Sequence, residues 1–336
     1  MKFSKILFFN TMMIGTLIAI SSYSWLSMWM GLEINLISII PLMNSPSNLY
    51  PSESALKYFI TQALASSVLL FSIILIMNKT EFIPQNSNYF LTLMMNSALL
   101  TKMGAAPFHA WFPEVMEGLN WENCLILLTW QKIAPMVLVM YNLKVELFLT
   151  WIIISSTIIG SIIGINQTSL RKIMAYSSIN HISWMMASML NSQTIWMIYF
   201  LIYTIISLNI IVIFSKLNLF YLSQLTNSMK QNKMIKLLFM MNFLSLGGIP
   251  PFLGFFPKWL TINNLIQNNY FLMSLILIVF TLITLFYYLR ITFSTLVINS
   301  SEILIKTPEK LPFTVIFLNF ASLSGMILCT LIFNLY

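Results

Sequence analysis

The chain has 336 residues, of which 58% are hydrophobic and 8% charged, with a mean hydropathy of +0.85. Soluble domains carry about 25% charged residues, so a soluble globular protein is excluded and a polytopic membrane protein is expected. The net charge of +8 comes from basic residues scattered between apolar segments, a pattern of membrane orientation rather than of nucleic-acid binding.

A hydrocarbon core of about 30 Å takes about 20 apolar residues per helix. Segments of that kind lie at residues 6–20, 25–43, 57–77, 89–107, 124–141, 147–165, 173–190, 194–214, 234–256, 271–297 and 313–335. The expected fold is therefore an all-α polytopic membrane protein with eleven transmembrane helices. Lys2 and Lys5 precede the first run, which reads as a helix rather than a signal peptide because no soluble domain follows it. No Arg-rich transit peptide is seen either, so import from a cytosolic ribosome is not expected. Residues 21–24 make the first two segments a hairpin, and only residues 215–233 and 299–311 leave room for surface helices. Residues 1–336 thus form one transmembrane domain. Cys124 and Cys329 sit in separate apolar segments without metal-ligand spacing and read as inert packing residues.

Alternate loops divide the basic residues unevenly. One side holds Lys2, Lys5, Lys57, Arg171, Lys172, Lys216, Lys230, Lys233, Lys236, Lys306 and Lys310; the other holds Lys79 and Lys144. The amino terminus is therefore expected on the cytoplasmic or matrix side, with the carboxyl terminus opposite. Lys102, Lys132, Lys258 and Arg290 fall within segments or at their ends.

Residues 99–115 read LLTKMGAAPFHAWFPEV, an apolar helix interrupted by lysine, glycine, proline and histidine. The pattern recurs. GAAPFHAWFPE at 104–114 and GIPPFLGFFPK at 248–258 match at glycine, proline, phenylalanine, phenylalanine and proline, with an offset of 144 residues. The candidate breaks are Gly104 and Pro107 in the first copy and Gly248, Pro250 and Pro251 in the second. Proline removes a ladder donor, and the freed groups are tolerated at membrane depth only where protein or water satisfies them. Five spans separate the copies, an odd number, which implies two inverted five-helix repeats over residues 1–143 and 144–298. A connector and one helix at 299–336 complete the chain. Gly160 and Gly164 form a small-residue pair suited to close helix packing.

Glu33 lies mid-segment in GLEINLISII, and Lys132 in LLTWQKIAPM stands three residues before Pro135. A charge at the bilayer centre costs about 3 kcal/mol or more, so such residues need partners or a task. Apolar surroundings favour a neutral lysine and a nearby carboxylate favours a charged one. A glutamate that approaches and leaves can therefore drive a proton relay. Lys258 could instead snorkel beside Trp259, and Glu33 could be a purely structural acid. His109 sits within the first break and could pass protons between flanking lysines; its counterpart is Leu253. His181 follows Tyr176, Ser177 and Ser178, whose hydroxyls either hold a file of water or satisfy one another between helices. Glu114, Glu117 and Glu122 read as a solvated loop cluster. There is no GxGxxG, Walker sequence or CxxC, so no redox cofactor is expected in this chain.

The motifs GLEINL, LTKMGAAPFHAWFPEV, LTWQKIAP, AYSSINHISWM and LGGIPPFLGFFPKW resemble the NADH dehydrogenase subunit 2 family, antiporter-like membrane subunits of mitochondrial respiratory complex I. The abundance of Met and Phe, with lysine far commoner than arginine, is similar to the coding bias of an arthropod mitochondrion. The resemblance implies a non-redox core subunit of a proton-translocating NADH:ubiquinone reductase in the mitochondrial inner membrane. FMN, iron–sulfur clusters and ubiquinone would serve the whole complex rather than this chain. The implied partners are other membrane-arm subunits, notably subunits 4 and 4L, and membrane lipids. By the same resemblance, Glu33 and Lys102 are a pair whose opening and closing drives a half-channel. Lys132 is a central-axis lysine, Lys258 belongs to the second broken helix, and His109 and His181 lie on a hydrophilic axis. A standalone cation/proton antiporter and a non-conducting spacer subunit stay open as alternatives.

Overall fold

The computed structural model describes residues 3–44, 49–78, 89–228, 233–250, 252–296, 317 and 319–320; these are helical apart from turns, loops and one isolated bridge between Ser169 and Tyr221. The chain divides into two compact units, Met1–Ser155 and Ser156–Tyr336.

In the first unit, α1 (Phe3–Ser21) and α2 (Trp25–Met43) form the expected hairpin. The Ser24 side chain starts α2 by accepting the Ser27 N–H, the usual way a serine satisfies a donor at a helix start. α3 (Tyr50–Met77) begins ahead of residue 57 because Pro51 opens its first turn, where a missing N–H costs nothing. α4 (Tyr89–Met103) stops short of residue 107, and an eight-residue helix, α5 (Trp111–Gly118), follows the break and packs on α3. Glu114 and Glu117 are therefore helical, not part of a loop. Residues 124–140 lie in one membrane-length stretch, Trp121–Met140, that is irregular at its middle. They belong to α6 (Trp121–Leu128) and α7 (Trp130–Met140), hinged at Thr129 with φ −115° and ψ −74°. Pro135 in α7 also leaves the Gln131 carbonyl without its usual donor.

α8 (Glu146–Ile165) spans the division between the units. In the second unit, α9 (Leu170–Met189) is the central helix, with every side chain from Ser177 to Met189 buried. Gly160 packs on it at backbone range: a Cβ there would stand 2.9 Å from Tyr176 O and from Asn180 N. α10 (Gln193–Lys216) follows, and the loop with room for a surface helix holds α11 (Leu222–Ser228). α12 (Lys233–Gly247) ends at Gly247 rather than at 256, and a separate α13 (Phe255–Gln267) precedes α14 (Phe271–Leu296). α13 packs on α9 and α10, and α12 on α10 and α14. Asn242 of α12 donates to Asn319.

Seven stretches among the described residues, α6 and α7 together counting as one, are long and apolar enough to cross a membrane. The breaks trim α4 and α12 to 15 residues each, and the serines, asparagine and histidine of α9 dilute its apolarity. Leu17, Ile37, Leu64, Leu201 and Leu282 all face outward. In water each would forgo about 1.5–3 kcal/mol of burial, whereas lipid removes that penalty. Pro251, Cys329, the connector 299–311 and nearly all of the expected eleventh segment lie outside the described residues. So do Lys2, Lys79, Lys230, Lys306 and Lys310 of the orientation count.

Candidate functional site

Both breaks are built by one backbone device. At the end of α4, Gly104 has φ +75°; its N–H donates to Leu100 O (3.0 Å) and Thr101 O (3.2 Å), and Ala105 N–H donates to Leu100 O (3.1 Å). At the end of α12, Gly248 has φ +76°; its N–H donates to Leu244 O (3.1 Å) and Ser245 O (3.0 Å), and Ile249 N–H to Leu244 O (3.3 Å). Each donor and acceptor in the second copy is the first shifted by 144 residues. This is the left-handed helix stop, open to glycine without a Cβ penalty. The chain restarts alike: Phe112 N–H donates to His109 O (2.9 Å) and Phe256 N–H to Leu253 O (3.2 Å). Pro107 and Pro250 lie exposed in the turns between.

In the first unit the break holds a buried ion pair. Lys102, in the last turn of α4, places Nζ 3.7 Å from Glu33 Oε1 of α2, with the lysine side chain 4% and the glutamate 24% exposed. The carbonyl end of α4 is met by neutral donors: Gln62 Nε2 to Lys102 O (3.4 Å) and Trp111 Nε1 to Thr101 O (3.0 Å). Ser155 Oγ pins the turn at Ala106 O (3.1 Å). Lys132, on the first turn of α7 just past the Thr129 hinge, is 1% exposed and sits 5.5 Å from the Phe112 ring centroid. That ring packs over Gly104, so the second half of the broken helix touches both its own stop and Lys132. His109 is half-buried, and its Nδ1 engages Pro107 O at 3.2 Å within its own loop rather than either lysine.

In the second unit Lys258 opens α13, 7% exposed, and folds back to donate to Gly247 O at 2.7 Å, with the Trp184 ring centroid at 5.9 Å. Its apolar stem and buried ammonium do not snorkel. His181 on α9 shares a 2.9 Å hydrogen bond between Nδ1 and Tyr199 Oη, and its ring lies 5.1 Å from that of Tyr203. A cavity of about 10 Å³ beside it is lined by His181, Tyr199, Tyr203, Ser245, Gly254 and Pro257 among others, room for about one water. Arg290 forks onto Ile165 O (2.6 Å) and Gln167 O (3.1 Å), a structural cap on α8. Ser177 Oγ and Ser178 Oγ bond back to Met174 O and Ala175 O within their own helix.

The family described as NADH:quinone oxidoreductase/Mrp antiporter, transmembrane, matches residues 22–284. The chain belongs to that family. NADH-ubiquinone oxidoreductase chain 2 of Aedes aegypti is 52% identical over 99% of this chain and 98% of its own, and that of Anopheles gambiae 49% over the same shares. A chain of respiratory complex I from Thermus thermophilus with bound aureothin shares the fold, with a TM-score of 0.88 at 21% identity over 98% of this chain and 79% of that one.

The chain also has supporting residues that its motifs do not mark. Tyr199, Trp184 and Phe112 hold the ring and ammonium groups, and nothing in sequence links them to their partners. Gly254 did carry a signal, because its twin position is Ala110. A Cβ at 254 would stand 1.7 Å from Ser245 O, so the restart of the second break lies directly against the end of α12. The surface trio Lys57, Glu53 and Glu114 pairs at 3.2 and 3.1 Å and is exposed.

Proposed function

We propose that this chain is a proton-translocating, cofactor-free membrane subunit of NADH:ubiquinone oxidoreductase, coupling redox energy released on other subunits to proton movement. The observation that carries the reading is the ion pair of Glu33 and Lys102 at the break after α4. A carboxylate 3.7 Å from an ammonium favours a bound proton, and its withdrawal favours release. The break beside the pair leaves helix-end groups that neutral donors satisfy, so motion there does not strand a charge. Lys132 and Lys258 are the further proton carriers, each held against an aromatic face. His109 and His181 are the neutral-range groups along the path.

The chain is read as two inverted five-helix repeats, 1–143 and 144–298, and the matching stops at Gly104 and Gly248 support the repeat. The likeness to insect chain 2 proteins supports a place in that complex; by the family resemblance the chain would lie in the mitochondrial inner membrane beside subunits 4 and 4L, and the basic residues favour an amino terminus on the matrix side. The experiment compares Glu33→Gln and Lys132→Met in the assembled complex of coupled membrane particles. A relay lowers protons moved per electron at normal assembly. A passive spacer loses assembly while that ratio stays at the wild-type value, which would overturn the proposal.

A further inference from the structure

We propose that the carbonyl end of α12 is the counter-charge for the proton on Lys258, and that Gly248 is the positioning residue that lets the lysine reach it. The inference rests on the proton-carrying reading of Lys258 given above. The lysine Nζ donates to Gly247 O at 2.7 Å, and among the described residues no carboxylate lies within 4.0 Å of it. The end of a helix carries about half a negative charge on its last carbonyls. The glycine stop occupies Leu244 O and Ser245 O with backbone donors, and Gly247 O, one residue before the stop, receives the ammonium.

Access to that carbonyl depends on an absent side chain. A Cβ at position 248 would stand 2.8 Å from Lys258 Cδ, 3.0 Å from Nζ and 3.1 Å from Cε. The stem of the lysine therefore runs across the bare face of Gly248. At the twin position a Cβ on Gly104 would meet Phe112, not a lysine. The first unit gives its helix end to Gln62 and Trp111 and its ammonium to Glu33. The second gives the helix end to the ammonium itself. Release of the proton from Lys258 is thus tied to movement of the broken helix, whereas at Lys102 it is tied to movement of a carboxylate.

The test measures protons translocated per NADH oxidised in coupled membrane particles holding the assembled complex. Lys258→Met sets the loss due to the lysine. Gly248→Ala is expected to give the same fractional loss, with the double variant no lower than either single one. A backbone-strain effect alone would reduce the amount of complex and leave the ratio intact. A wild-type ratio in Gly248→Ala alongside a lowered ratio in Lys258→Met overturns the inference and spares the relay. A wild-type ratio in Lys258→Met overturns the relay reading of that residue, and the inference with it. Should Gly248→Ala fail to assemble, a high-resolution map of the native complex decides: the Lys258 ammonium on the Gly247 carbonyl supports the assignment, and the ammonium turned to a carboxylate overturns it.

Discussion

The two broken helices use the same stop and treat charge in different ways. Gly104 and Gly248 share their φ angle to within a degree and their hydrogen bonds atom for atom. Yet Lys102 stands before its stop and faces a carboxylate, while Lys258 stands beyond its stop and faces a helix end. The backbone device is thus separable from the charge it carries. A full negative charge on a carboxylate side chain and about half a charge on the carbonyls of a helix end hold a proton to different degrees, so one scaffold offers two kinds of proton site.

The largest effect that would sharpen this comparison is expected at the restart of each helix. Gly254→Val drives a side chain into Ser245 O and should cost more than about 3 kcal/mol, seen as loss of assembled chain on native electrophoresis. At the twin position, Ala110→Gly should cost about 1 kcal/mol or less and assemble normally. Equal losses at the two positions would show that the restarts are not built differently.

Next come the aromatic faces. Trp184→Leu and Phe112→Leu each remove a ring near a buried ammonium and should lower thermal stability of the complex by about 1 kcal/mol beyond the lost packing. A much larger loss for Trp184 than for Phe112 would mean that the helix end contributes less at Lys258 than the geometry indicates.

The smallest effect is expected at Lys57, whose contacts with Glu53 and Glu114 are solvent-exposed. Such pairs are screened by salt and are weak. Lys57→Ala should leave assembly and turnover at wild-type levels across ionic strength. A salt-dependent loss would break the contrast between this exposed trio and the buried pair of Glu33 and Lys102.

Much of this was legible in the sequence because glycine, proline and buried charge are costly in lipid and so stand out. Residues 99–115 announced the first break, and the offset of 144 residues announced the second. The lengths differ where a short helix follows a break: α5 and nearly all of α13 fall outside the apolar segments of the sequence, and the Thr129 hinge lies inside one of them. Glu33 stood out as a charged residue in an apolar segment, and the family resemblance implied it as the partner of Lys102. The partner of Lys258 could not be named, because a backbone carbonyl has no letter in the sequence. Lys258 looked able to snorkel for that reason, and only the fold turns its ammonium inward. Gly254 was visible as the one glycine that replaces an alanine between the twin motifs, a difference that means close approach once the end of α12 is seen against it.

The most direct measurement of the central claim is the number of protons moved per electron by the assembled complex carrying Lys102→Met. The buried pair at the first break predicts a lowered ratio, with the complex assembled and NADH oxidation still measurable. A ratio equal to wild type in fully assembled complex would contradict it.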